Sequence, residues 1–324
     1  MAPLAPGRAG FHARAMPTPS RRFTALLHLA LMSGALGSCV APQMPPPVEE
    51  AAPQPPPASP PAVPAVPHGP AALQLEGAAR QGGLMHGRVP AGTAALALNG
   101  EAIGFDADTG DFIIAFDRDA PPQATLVVTR ASGGTDSRTL DVAPGDWRIE
   151  RVDASLTGAA TSEAFRRLRA GELARIAAAR AKDTGSAGWK QHFIWPVRAR
   201  ISGLFGSQRI YRGTPASYHS GLDMAGGAGT VYVAPADGVV TLAADSPFTL
   251  EGNLLMIDHG MGLNSAFLHS QRLLVKEGDV VRQGQPIGII GATGRATGPH
   301  LHWSLKWRDA RIDPLPLLDR PPSP

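Results

Sequence analysis

Short apolar segments bounded by Gly, Pro or Asn fill most of the chain after residue 72. Such segments are too short for typical helices, and the turn-forming residues between them favour strands joined by tight turns. Residues 94–98 run into the pair Asn99-Gly100, which predicts a hairpin turn. Residues 254–260 and 285–291 have the pattern of buried strands. The chain is therefore predicted to be mainly β.

Residues 1–38 have the composition of a secretory leader. An Arg pair precedes an apolar run over residues 23–32, which is shorter than the roughly 20 residues that span a membrane. The run leads to Leu-Gly-Ser before Cys39, and this sequence resembles a bacterial lipobox. We predict a lipoprotein signal peptide over residues 1–38 and lipid attachment at Cys39. An ordinary signal peptide with an incidental cysteine is the alternative, and the start, Met1 or Met16, stays open.

The leader accounts for the basic balance of the sequence. Residues 1–38 contain four arginines and no acidic residue, whereas the formal net charge of the whole chain is only +3. Without the leader no positive surplus remains, so a nucleic-acid partner is not predicted. The lone cysteine excludes an internal disulfide and a metal site built from cysteines.

The remainder of the chain divides by composition into four segments. Residues 39–71 are rich in Pro and Ala, which is typical of an extended polyproline II linker. Residues 72–151 predict a small β-sandwich-like accessory domain, and residues 152–190 predict a helical connector. The β pattern returns in residues 191–318, which predict the last domain.

The connector is predicted to contain a helix over residues 161–182. A Ser or Thr stands at its start to cap it, and Glu163 lies in its first turn. The predicted apolar face consists of Phe165, Leu168, Leu173 and Ile176. The opposite face of the helix is rich in Arg and is expected to be a solvated surface.

Five residues with catalytic or metal-binding chemistry lie in the last β-rich segment: His219, Asp223, His269, His300 and His302. A catalytic zinc takes three protein ligands and keeps one position open. Residues two or four apart on a strand face the same side, so His219 and Asp223 are expected to converge, as are His300 and His302. Either pair can occur by chance in a chain with ten histidines, but their conjunction in one segment indicates a metal site.

Four motifs in this segment resemble the lysostaphin-type, or LytM-like, zinc endopeptidases. They are His-Ser-Gly-Leu-Asp from residue 219, Pro-Ala-Asp-Gly-Val-Val over residues 235–240, the hairpin Val-x-x-Gly-Asp-x-Val from residue 275, and Thr-Gly-Pro-His-Leu-His ending at residue 302. The likeness covers about residues 193–318. It implies a compact antiparallel-sheet catalytic domain with a narrow groove. It also implies hydrolysis of peptide cross-links in bacterial peptidoglycan.

The resemblance further implies a role for each candidate residue. His219, Asp223 and His302 match the zinc ligands, so Zn²⁺ is the expected cofactor. His300 and His269 match the two catalytic histidines, and the division of labour between them stays open. The expected partners are the peptide stems of peptidoglycan and, through the lipid anchor, a membrane. The expected location is the periplasmic side of the cell envelope, as an outer-membrane lipoprotein.

Two other functions compete with this interpretation. A non-catalytic LytM-like activator of other cell-wall hydrolases would lack the metal ligands, whereas here the set is complete. A biotinyl- or lipoyl-type carrier needs an exposed Lys on a tight hairpin, and none of its usual motifs is present. The sequence departs from the family at Phe267, where Tyr is common, and at Ser270, where Leu is common. We expect the missing Tyr hydroxyl to alter substrate contact.

Overall fold

The structure is a computed structural model of the chain, and it describes residues 69–155, 162–244 and 246–319. Within these residues, strands arranged mostly in antiparallel sheets predominate over a single α-helix and two short 3₁₀ turns. The prediction of a mainly β, antiparallel fold is therefore confirmed. The predicted leader, Cys39 and most of the Pro-rich segment lie outside the described residues, so the statements about them stay predictions.

The strands before the helix form two small antiparallel sheets and one separate strand. They are β1 (Gln74–Glu76), β2 (Leu84–Arg88), β3 (Thr93–Leu98), β4 (Glu101–Ile103), β5 (Asp111–Ala115), β6 (Gln123–Arg130), β7 (Thr135–Asp141) and β8 (Ile149–Val152). One sheet has the order β1-β2-β5, and the other has the order β4-β3-β6-β7. We refer to this part of the chain, residues 69–155, as the front region.

Local sequence explains how the second of these sheets folds. Asn99 and Gly100 join β3 to β4 with φ angles of +52° and +84°, which a type I′ hairpin turn requires at both central positions. The predicted hairpin turn is thus confirmed. In β6, Ala124, Leu126 and Val128 are buried and alternate with more exposed residues, so one face of the strand packs inward.

The single helix, α1 (Glu163–Arg180), lies within the range predicted for it. The Ser162 hydroxyl caps it by accepting a hydrogen bond from the Phe165 amide at 3.1 Å. The predicted apolar face is wrong, because Leu168 and Leu173 remain 57% and 49% exposed. Only the C-terminal half of the helix packs on apolar residues, through Ile176. None of the helices described is both long and apolar enough to span a membrane.

Twelve strands follow the helix in the described part of the chain, and ten of them build one large antiparallel sheet. They are β9 (Ile201–Gly203), β10 (Gln208–Tyr211), β11 (Thr214–Pro215), β12 (Leu222–Met224), β13 (Val231–Val233), β14 (Gly238–Ala243), β15 (Asn253–Asp258), β16 (Leu263–Leu273), β17 (Val280–Val281), β18 (Pro286–Ile290), β19 (Leu301–Trp307) and β20 (Ala310–Ile312). The main order is β17-β14-β15-β16-β19-β12-β9, with β13, β18 and β20 branching from it.

A parallel strand pair links the front region to this second part. β8 pairs in parallel with β10, and β10 pairs with β11, so these three strands form a separate small sheet. Parallel neighbours need a crossover connection, and here the crossover carries α1. The front region and the second part also share one apolar core, in which Phe112 and Leu126 belong to the same cluster as Leu222 and Trp303.

Candidate metal centre and catalytic groove

Two adjacent antiparallel strands bring the candidate metal ligands together. Asp223 in β12 lies directly opposite His302 in β19, so the two side chains leave the same face of the sheet. His302 Nδ1 lies 2.8 Å from Asp223 Oδ1. His219 Nε2 lies 3.0 Å from the same carboxylate oxygen and 3.1 Å from His302 Nδ1. One possible ligand atom from each of the three residues falls within 4.8 Å of the other two.

His219 reaches this cluster from a loop, so the expectation that it shares a strand with Asp223 is wrong. β12 begins only at Leu222. The loop is nevertheless fixed, because the His219 amide donates to the Ser207 carbonyl and its own carbonyl accepts from Gly206, both at 2.8 Å. His219 Nδ1 lies 3.0 Å from the Leu204 carbonyl oxygen, which leaves Nε2 facing the cluster.

Burial and hydrogen bonding act in opposite directions on the charges of the cluster. Burial raises the pKa of Asp223, but hydrogen bonds with His219 and His302 outweigh it and hold this pKa below its usual range. Burial lowers the pKa of His302, and Asp223 only partly opposes this. Burial also lowers the pKa of His219, but there the contact with Asp223 prevails and the pKa is raised. The cluster therefore holds an anionic carboxylate beside two imidazoles.

A bulge in β16 places His269 beside the cluster. The register of β16 shifts against both β15 and β18 at this point. His269 itself has a left-handed backbone with φ of +64°, a conformation that costs a non-glycine residue about 1–3 kcal/mol. Its ring centroid lies 5.0 Å from that of His300 and 6.2 Å from that of His302. Bulges of this kind commonly redirect a side chain at a functional site.

Backbone carbonyls fix a proton on Nδ1 of both His269 and His300. Nδ1 of His269 lies 2.8 Å from the Thr293 carbonyl oxygen, and Nδ1 of His300 lies 2.8 Å from that of Gly298. Because a carbonyl only accepts, each Nδ1 carries a proton, and Nε2 is the ring nitrogen left to exchange one. Burial lowers the pKa of His269, which favours the neutral ring. His300 Nε2 lies 3.7 Å from Asp223 Oδ1.

The cluster opens into a groove. A cavity of about 360 Å³ is lined by the three candidate ligands, by His269 and His300, and by Leu250 and Arg295. A second cleft of about 870 Å³ is lined by His219 and Asp223 at one place and by residues of β8 and β10 at another. There the front region contributes Arg148 and Glu150 to its wall. The site is therefore accessible to an extended ligand from two directions.

Comparison with known proteins identifies the segment that carries these residues. Residues 217–314 match the sequence profile of peptidase family M23, and all five candidate residues lie inside the match. Residues 217–314 form an M23 peptidase domain. The resemblance to lysostaphin-type peptidases that the motifs indicate is thus confirmed at the level of the family.

Two curated relatives and one solved structure illustrate the similarity of the M23 domain to known proteins. The peptidoglycan DD-endopeptidase ShyA of Vibrio cholerae is 38% identical over 36% of this chain and 27% of its own length. The DD-carboxypeptidase/endopeptidase Mpg of Neisseria meningitidis is 37% identical over 37% of this chain and 27% of its own. The chain thus matches only about a quarter of the length of each of these two relatives. A crystal structure of a peptidase M23 from Pseudomonas aeruginosa is 27% identical and covers 74% of this chain and 95% of its own, with a TM-score of 0.57.

Helix α1, outside the M23 domain, braces the strand connection that leads to His269. Arg169 forms a bidentate ion pair with Glu251, with Nη–Oε distances of 2.6 and 2.7 Å. Glu172 accepts hydrogen bonds from the Thr249 amide and hydroxyl at 2.6 and 2.7 Å. The Glu251 carbonyl in turn accepts the amide of His269 at 2.8 Å. The Arg-rich face of the helix is therefore not simply solvated as expected, because Arg169 holds a wall of the groove.

A second brace runs from the front region to the segment just before the M23 domain. The Arg118 side chain is 7% exposed, and its Nε and Nη2 donate to the Gly206 carbonyl at 3.1 and 3.0 Å. Nη2 also donates to Gln208 Oε1 at 3.0 Å, and the guanidinium lies 4.7 Å from the ring centroid of Tyr218. Gly206 is hydrogen-bonded to His219, so Arg118 supports the loop that carries one candidate ligand.

Phe267, which stands where the family commonly has Tyr, does not line the groove of the M23 domain. Phe267 is fully buried and stacks between Tyr232 and Trp303, with ring centroids 5.5 and 6.5 Å away. The hydroxyl of Ser270 lies 2.7 Å from that of Tyr232 in the same core. The expectation of altered substrate contact is therefore wrong, because the strand turns this position inward before the bulge at His269.

Proposed function

We propose that the chain is a zinc-dependent endopeptidase that hydrolyses peptide cross-links of bacterial peptidoglycan. The observation that carries the proposal is the placement of His269 and His300 beside a His-Asp-His cluster in an open groove of an M23 domain. The matched relatives named above are peptidoglycan peptidases, which supports the choice of substrate.

The donor set fits zinc. Two imidazole nitrogens and one carboxylate oxygen are ligands that catalytic zinc sites use, and a fourth position then remains for water or substrate. The lowered pKa of Asp223 keeps its carboxylate anionic at neutral pH. Gly203 and Gly221 keep the surroundings of the ligands clear, since a Cβ on Gly203 would collide with Asp223 Oδ2 and a Cβ on Gly221 would come within 2.6 Å of His302 Nε2. His219, Asp223 and His302 would hold the ion.

When bound, zinc supplies a Lewis acid that activates water and polarises the scissile carbonyl. The chain's own residues supply the proton transfers. We assign His300 to accept the proton of the attacking water at Nε2, because its Nδ1 is committed to Gly298 and its Nε2 faces Asp223. His269 also presents a proton acceptor, so it can donate to an oxyanion or a leaving amine only after it has been protonated.

Digestion of purified peptidoglycan tests this function. The zinc-loaded protein should release fragments whose masses report a hydrolysed peptide bond, and a chelator should stop the release. His300→Ala should abolish most of the release, whereas His192→Ala, a change at an exposed histidine that pairs with Asp319, should leave it intact. Binding to peptidoglycan without new fragments would instead support the non-catalytic activator.

A further inference from the structure

A second cavity lies beneath helix α1. Arg169, Leu173, Ile176 and Arg180 follow one another along one helix face and line it from above. The opposite wall comes from β15 and β16 and is apolar. The cavity measures about 180 Å³, which is enough for a side chain rather than a whole peptide. We call it the arginine pocket, because Arg169, Arg180 and Arg311 line it.

The arginine pocket adjoins the catalytic groove. His302, Ser220, Glu251 and Leu268 each line both cavities. His302 is one of the candidate metal ligands, so the pocket adjoins the place where the groove would hold a peptide bond. A side chain flanking the bond to be cleaved is therefore within reach of it.

The pocket has more positive than negative charge, because among the described residues no acidic side chain forms an ion pair with Arg180 or Arg311. The Arg180 Nε is buried and lacks a hydrogen-bond partner among the residues that the structure describes. Desolvation and the neighbouring Arg311 lower the pKa of Arg180 from its ordinary value. The closest acids do not compensate, because Glu251 pairs with Arg169 and Asp309 pairs with Lys306.

Arg311 is likewise available to an anion. Among the described side chains, its guanidinium donates a hydrogen bond to the Tyr218 hydroxyl at 3.2 Å and lies over the ring of the same residue, and it forms no ion pair. A buried guanidinium donor without a partner is costly, and an incoming carboxylate would satisfy it with charge-assisted hydrogen bonds. The apolar wall would accommodate the aliphatic part of the same side chain.

We propose that the arginine pocket binds a carboxylate-bearing side chain of the substrate peptide next to the scissile bond, through Arg180 and Arg311. This inference rests on the proposed peptidase function, and it makes Arg180 a specificity-determining residue. The chemical class of the preferred substrate is a peptide cross-link whose flanking residue carries a free carboxylate rather than a carboxamide.

Two synthetic cross-linked peptides test the inference. They are identical except that the flanking side chain ends in a carboxylate in one and a carboxamide in the other. The wild-type enzyme should cleave the carboxylate peptide with a kcat/KM about ten- to a hundredfold higher, the usual worth of a charge-assisted hydrogen bond. Arg180→Met should remove this preference by slowing cleavage of the carboxylate peptide alone. Arg167→Met, an exposed change on the same helix, should keep the preference.

Two further measurements keep the outcomes distinct. Arg311→Met, at an exposed position, should reduce the preference in the same direction even if Arg180→Met folds poorly. Binding of the two corresponding product peptides to the wild-type protein, measured by calorimetry, should favour the carboxylate form whether or not cleavage occurs. Cleavage of neither peptide would refute the proposed function. Equal binding of both product peptides, or an equal loss on both substrates in Arg180→Met, would overturn the pocket.

Discussion

Arg118→Met removes the brace between the front region and the loop of His219 while keeping a side chain of similar length. Three hydrogen bonds disappear, two to the Gly206 carbonyl and one to Gln208, together with an ion pair to the exposed Asp119, which contributes little. At roughly 1 kcal/mol each for a buried site, the loss of folding free energy is about 3 kcal/mol. For a folded unit of this size that corresponds to a fall of about 6–12 °C in Tm. Arg118→Lys should rescue it poorly, because a single ammonium cannot reproduce the forked contacts.

Thermal unfolding and zinc titration measure the two expected effects. Tm should fall as stated, and zinc affinity should weaken by about tenfold, the lower end of what partners outside the ligand set contribute. Arg88→Met is the matched control, since Arg88 lies in the front region but makes an exposed ion pair with Asp111. Its Tm should stay within about 2 °C of the wild type. If Arg118→Met lowered Tm by no more than the Arg88 control and left zinc affinity unaltered, the idea that the front region supports the candidate metal site would be refuted.

Three further predictions concern the candidate ligands, a buried histidine and the leader. His302→Ala should lose zinc because only two protein ligands remain, whereas His300→Ala should keep zinc and cleave peptide about 10²- to 10⁴-fold more slowly. Metal content by atomic emission, measured beside peptide turnover, distinguishes the two roles, and equal metal loss in both variants would make His300 a ligand. His259 is fully buried, and burial lowers its pKa from 6.5 to about 4, so the free energy of unfolding should fall by about 3 kcal/mol as the pH drops from 6.5 to 4. His259→Gln should reduce this loss of stability at acid pH in denaturant titrations, and an unchanged loss would contradict the prediction. Cys39→Ala should move the protein from the membrane fraction to the soluble fraction, and unchanged retention would exclude lipid attachment.

Local patterns in the sequence are sufficient for the parts of the fold that depend on neighbouring residues. The Asn99-Gly100 turn follows from the φ angles that these two residue types tolerate. Asp223 and His302 meet because each occupies a short strand, and the strands pair in register. The spacing argument fails for His219, whose side chain reaches the cluster from a loop that backbone hydrogen bonds hold in place.

The braces of the site could not be predicted, because they join residues that are far apart in the chain. Arg118 and Gly206 are separated by 88 positions, and Arg169 and Glu251 by 82. Nothing in the local sequence distinguishes Arg169 from the other arginines of α1, so a solvated face was the natural expectation. The wrong prediction for Leu173 has the same reason. Contacts with strands distant in the chain, rather than the pattern of the helix itself, determine which face of the helix is covered.

The parallel pairing of β8 with β10 would make the front region difficult to exchange for another domain. A gene fusion that replaced residues 69–155 with an unrelated segment would leave the edge of β10 unpaired and Gly206 without the guanidinium that it accepts from. Such a hybrid would keep all three candidate metal ligands and still hold His219 less firmly. We therefore expect that, among chains of this architecture, the residue at Arg118 and those from Gly206 to Gln208 change together rather than independently.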